Sequence, residues 1–106
     1  MHLGCEVVIH PHGREKALKT RTENVGMGGV CVMLEEPLER FDRCKVSLDL
    51  RDNVPPIHCT GRSVWVIPSL DIKSSRTSFD TGIEFLDIDE PARQRLHSFL
   101  TRSKKG

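Results

Sequence analysis

Apolar positions recur at every second residue along most of this chain, the period of a strand with one buried face. Residues 44–50 show it most clearly: Cys44, Val46, Leu48 and Leu50 share one side, Lys45, Ser47 and Asp49 the other. Residues 77–86 repeat it, with Phe79, Thr81, Ile83 and Phe85 set against Ser78, Asp80, Gly82 and Glu84. Residues 17–22 alternate Ala17, Lys19 and Arg21 with Leu18, Thr20 and Thr22. Residues 5–9 and 29–34 are short apolar, β-branched runs, the first ending at a Pro11-His12-Gly13 turn. Residues 57–67 form a longer strand, with a bulge or bend expected at Gly61. Pro37 with its charged neighbours in 35–42, the break at 51–56 and the polar stretch 68–76 read as loops.

The period changes only at the C-terminus. Ala92, Leu96, Phe99 and Leu100 fall at i, i+4, i+7 and i+8, a single apolar stripe on a helix spanning 90–102. Asp89 is the expected N-cap, and Pro91 lies in the first turn, where its missing N–H costs nothing. Arg102, Lys104 and Lys105 complement the helix dipole, and residues 103–106 are expected to fray. Six short strands followed by one amphipathic helix predict an all-β fold, a six-stranded antiparallel barrel over residues 5–86 with a C-terminal α-helix across one opening or edge. The 106 residues suit one domain, 1–106, with a single modest core.

Sixteen basic against fifteen acidic residues leave a formal charge of +1, which argues against a strongly basic nucleic-acid binder. No apolar run approaches ~18 residues, so no direct membrane insertion is expected. The start, Met1-His2-Leu3-Gly4-Cys5-Glu6, lacks a basic segment and a long apolar one, so no secretory leader is expected. Cys5, Cys31, Cys44 and Cys59 form no C-x-x-C pair and read as reduced, buried thiols of a cytoplasmic protein. His10, His12 and the pair His58-Cys59 complete no first-row metal spacing, so no metal site and no cofactor is expected. No cysteine has a recognisable base and orienting partner, so no enzyme is expected. The single Trp65 is expected in the core or at the barrel rim.

Residues 24–29, Asn-Val-Gly-Met-Gly-Gly, carry the most chemistry. Glycines permit φ > 0 and let a ligand approach bare backbone amides, while Asn24 offers donors and acceptors. The segment fits either a turn between strands or a binding bend.

These landmarks, in order, resemble the PilZ domain, a bacterial module that commonly senses the second messenger cyclic di-GMP. Asn24, Gly26 and Gly29 occupy the positions of its Asp/Asn-x-Ser-x-x-Gly motif, ahead of the apolar run 30–34. Gly61-Arg62-Ser63-Val64-Trp65-Val66 is similar to its glycine and Val-x-Trp strand, Thr81-Gly82-Ile83-Glu84-Phe85 to its Gly-x-x-Phe strand, and 87–100 to its terminal helix. Two positions depart from the pattern: Gly26 stands where the family has Ser, and no Arg-x-x-x-Arg motif, normally just ahead of the first strand, occurs in the sequence. In the family those arginines clamp guanine edges and phosphates, a task for a bidentate guanidinium.

The resemblance implies two readings. In one, cyclic di-GMP docks at Asn24, Gly26 and Gly29, with the missing arginines supplied from upstream or replaced by Arg21 and Arg14, and binding is coupled to an effector protein of pilus, flagellar or exopolysaccharide machinery. In the other, the chain is a PilZ-like protein-interaction adaptor that binds no nucleotide.

Overall fold

The computed structural model describes residues 4–51 and 54–103. Six strands, β1 (Glu6–Pro11), β2 (Leu18–Val25), β3 (Gly29–Leu34), β4 (Arg43–Asp49), β5 (Ile57–Asp71) and β6 (Arg76–Phe85), precede helix α1 (Glu90–Ser103). They close into an antiparallel barrel in the order β1-β2-β3-β6-β5-β4, so every barrel edge is paired. The expected six-stranded barrel with a terminal helix is what forms.

The alternation sets which face is buried. Val7 and Ile9 of β1 lie opposite Leu48 and Val46 of β4, and Val46 and Leu48 lie opposite Cys59 and Ile57 of β5. All six are buried, as are Val30, Val32 and Leu34 of β3 and Ile83 of β6. The helix closes this interior. Asp89 Oδ1 accepts the Ala92 N–H at 2.9 Å, the expected N-cap. Leu96 is 0 % exposed within the core, and Ala92, Phe99 and Leu100 pack against it half-buried. Asp87 fastens the approach to the helix by accepting the backbone N–H and the hydroxyl of Thr60, at 2.5 and 3.0 Å. Ser103, expected to fray, is the last helical residue; the rest of the expected tail, 104–106, with the dipole partners Lys104 and Lys105, and positions 52 and 53 of the expected break lie outside the described residues.

Two expectations need correction. Residues 68–76 are not a loop: β5 and β6 run on as a two-stranded arm, with Pro68 opposite Phe79 and Asp71 opposite Arg76. Here β5 has left β4 behind and has a single strand neighbour, the edge position a proline tolerates. The turn is confined to residues 72–75, where Asp71 Oδ1 accepts the Lys73 N–H at 3.1 Å and Ser75 takes φ 57°. The expected Pro11-His12-Gly13 turn forms: Pro11 ends β1 buried opposite Cys44, and its carbonyl accepts the Arg14 N–H at 3.2 Å, with Gly13 at φ 79°. The β5 irregularity lies between Ser63 and Trp65, not at Gly61. Gly61 faces inward, where a Cβ would stand 2.6 Å from Ile83 Cγ2 and 2.9 Å from Val46 Cγ2.

Candidate functional site

The bend at 24–29 is tighter than its six residues imply. β2 continues through Val25, so Asn24 sits on a strand, and the reversal is closed by the Gly26 N–H donating to Gly29 O at 2.9 Å. Among the described glycines only Gly13 has a positive φ, so the bend does not use the conformational freedom expected of it. Gly29 serves close approach instead: a Cβ there would lie 2.0 Å from Ile83 O of β6. At Gly28 a Cβ would meet nothing within 4 Å, and at Gly26 only Gly29 O at 4.0 Å. Those two positions present bare backbone to open space.

A bulge decides what faces outward beside the bend. The β2–β3 register slips between Thr22 and Asn24, so Thr22 opposes Val32 and Asn24 opposes Cys31. Thr22 is buried and Asn24 exposed. Cys31 in turn opposes Gly82 of β6, and Gly82 opposes Trp65 of β5, where the second bulge has shifted the phase. Asn24, Cys31, Gly82 and Trp65 thus form one row across the outer face of four strands. The Trp65 ring lies directly over Gly82, where a Cβ would meet three ring atoms at 2.5 Å. Trp65 is 41 % exposed and belongs to the outer surface rather than the core. Together with Asn24, Gly26, Gly28, Gly29 and Cys31 it lines a cavity of about 480 Å³, within the size range of small-ligand sites.

Among the described residues the wall of this cavity carries a single carboxylate, Glu84, and it is paired to Arg62 at 3.2 Å. Asp80 accepts the Cys31 thiol at 3.2 Å. Burial pushes the Cys31 thiol up to about 11, with the Asp80 hydrogen bond and the Asp80 and Glu23 charges adding to it. A thiol held this far up is a poor nucleophile near neutral pH. Asp80→Asn removes one of those charges, so the Cys31 pKa falls and its alkylation at pH 8 accelerates. Peptide mapping after iodoacetamide treatment reads this, and an unchanged rate at Cys31 contradicts it.

Of the site residues expected from sequence, Asn24, Gly26 and Gly29 come together on the cavity wall. Arg21 shares the outer face, but its guanidinium turns to β1, donating to Gly4 O at 3.2 Å and lying 3.9 Å from Glu6. Arg14 lies in the β1–β2 connection, at the opposite end of the eight-residue β2 from the bend. At ~3.3 Å per residue that strand separates it from the bend by more than 20 Å. Trp65, Cys31 and Arg62 were not expected here. The glycine at 82, needed under the Trp65 ring, is the one sequence signal for the first. His10 and His58 share a separate outer depression with Lys45 and Asp87.

The family model described as "PilZ domain" matches residues 3–102. No match is found among curated proteins. Three solved structures share the fold. The inhibitor of motility (MotI/DgrA) of Bacillus subtilis is 18 % identical with a TM-score of 0.75, covering 99 % of this chain and 49 % of its own. MrkH of K. pneumonia in its apo state is 16 % identical with a TM-score of 0.79, covering 95 % and 45 %. The PilZ domain with c-di-GMP of YcgR from Escherichia coli is 14 % identical with a TM-score of 0.68, covering 95 % and 86 %. The chain therefore spans about half the length of the first two.

Proposed function

This chain belongs to the PilZ domain family, and we propose that it is a bacterial signalling domain taking cyclic di-GMP into the cavity beside the 24–29 bend and coupling that occupancy to a partner protein. The observation carrying this reading is the outer row itself. Asn24 supplies hydrogen-bonding groups, Gly26 and Gly28 leave backbone open to a ligand, and the Trp65 ring stands across the same cavity. An aromatic face beside amide groups suits a purine, which stacks and hydrogen-bonds along its edge. The YcgR domain, of the same fold, has c-di-GMP in its solved structure.

The ligand's two phosphates need cations. Arg21 is the nearest of the expected ones on this face, and its present contacts hold it weakly: the Glu6 pair spans 3.9 Å with both side chains about 60 % exposed. Reorienting Arg21 toward the cavity sacrifices little. Arg62, already beside Glu84, is a second source.

A second reading, a nucleotide-free interaction adaptor, draws on the β5–β6 arm, where Ile67, Leu70 and Ile72 are exposed, the last at 87 %. Titration separates the two. Trp65 is the only tryptophan, so its fluorescence reports directly on the cavity. Cyclic di-GMP is expected to change that emission and release heat at concentrations up to about 100 µM, roughly −5.5 kcal/mol of binding. Asn24→Ala should weaken binding about five- to tenfold, the worth of roughly one hydrogen bond. Gly26→Ser, whose Cβ has room, should tighten it by a similar factor. Neither heat nor emission change with the parent chain leaves the adaptor reading standing.

A further inference from the structure

Glu23, Cys31 and Asp80 lie on three consecutive strands of the outer face, and one ligand atom from each falls within 4.8 Å of the others. We propose that this trio is a binding site for a thiophilic divalent cation, zinc being the best fit, with a fourth position open to water from the adjoining cavity.

The strand geometry builds the trio. The β2 bulge adds Glu23 opposite Cys31, which otherwise faces only Asn24, so two polar side chains converge on one thiol. Across β3, Asp80 is the diagonal neighbour of Cys31, opposite Met33, and takes its thiol proton in a 3.2 Å hydrogen bond. All three residues are half-buried and project from paired strands rather than loops, which fixes their relative positions.

The charge balance calls for a cation. Among the described residues no Lys, Arg or His pairs with Glu23 or Asp80. Arg21 is directed to Gly4 and Glu6, and Arg62 to Glu84. Two carboxylates therefore face a thiol without a counter-charge. The Cys31 thiol is protonated and shares that proton with Asp80 in their hydrogen bond. A metal ion would take the proton's place: the S–H bond breaks, an S–metal bond forms, and one proton leaves to solvent for each ion bound.

The donor set selects the ion. One sulfur and two carboxylates disfavour calcium and magnesium, which take oxygen ligands, and suit zinc, which accepts both. Tetrahedral zinc holds sulfur and oxygen donors about 3.3–3.8 Å apart, from bonds near 2.3 and 2.0 Å. The Cys31–Asp80 pair, at 3.2 Å, needs to open only slightly to meet that separation, and Glu23 reaches it by rotating its own side chain. The cavity lined by Cys31 gives an entry path and room for the water. None of this depends on whether a nucleotide binds.

Cobalt(II) titration of the full chain tests the site, because a thiolate ligand produces a sulfur-to-cobalt charge-transfer band in the near ultraviolet. One band saturating at a single equivalent, displaced by zinc and accompanied by release of one proton, is expected. Cys31→Ser should abolish the band. Glu23→Gln and Asp80→Asn should each weaken cobalt binding by at least about tenfold, the lower end of what outer-shell partners cost when lost. Circular dichroism confirms that each variant is folded, and the two carboxamides are near-isosteric surface changes. A folded parent with no band, a band that survives Cys31→Ser, or an affinity indifferent to either carboxamide overturns the proposal.

Discussion

Leu96→Ala should cost about 2–5 kcal/mol of stability and make α1 the first element to open. Leu96 is 0 % exposed and is the one fully buried side chain among the described residues of the helix. Its stripe partners Ala92, Phe99 and Leu100 are only half-buried. Truncation removes the buried methyl groups and leaves a hole that neighbours anchored in a closed barrel cannot collapse to fill. For a domain of this size, typically stable by ~5–15 kcal/mol, that is a large share. Urea denaturation followed by circular dichroism measures it, and hydrogen exchange localises it. A loss under ~1 kcal/mol would mean that the helix is held mainly by its Asp89 cap and the Asp87–Thr60 contacts.

The helix was legible in sequence because both its signals are local: an i, i+4, i+7, i+8 stripe and an Asp three residues before the N–H that it caps. The barrel was legible because alternation at 44–50 survives as one buried face on β4, and in 77–86 the inward Thr81 and Ile83 are buried on β6. What escaped has a common cause. The β5–β6 arm is exposed on both faces, so no burial pattern marks it, and Pro68, Ser69, Asp71, Ser74 and Ser75 read as loop residues. Strand pairing with a single partner holds it nonetheless. The bulges beside Thr22 and Trp65 were invisible for a related reason. A single inserted residue flips every later side chain to the other face, and nothing in the local composition announces the insertion. Trp65 on the outer surface follows from one slip, and the meeting of Glu23 and Asn24 opposite Cys31 follows from the other. The cavity wall draws on four strands distant in sequence, so only its 24–29 part had a sequence signature.

The three glycines of that part should behave in opposite ways. Gly29→Ala is expected to cost roughly 3 kcal/mol, the upper range of overpacking penalties. Its Cβ would sit 2.0 Å from Ile83 O and 3.0 Å from Ile83 C, with Glu84 Cα at 3.1 Å. These are backbone atoms of the neighbouring strand, so no side chain can swing aside, and β3 must separate from β6 where Gly29 opposes Glu84. Gly28→Ala meets nothing within 4 Å and has no positive φ to strain it. It should stabilise the chain by about 0.4–1 kcal/mol, through lost freedom of the unfolded state. Chemical denaturation of the pair decides this, and equal effects at 28 and 29 would refute the assigned close approach. Packing therefore accounts for a glycine at 29 whatever the chain binds. It does not account for the glycine at 28, which has neither a positive φ nor a neighbour that a Cβ would meet. A ligand lying against bare backbone supplies the missing reason. Gly28→Ala should then be more stable than the parent yet bind cyclic di-GMP more weakly. A Gly28→Ala chain that gains stability and keeps full affinity would place the nucleotide elsewhere.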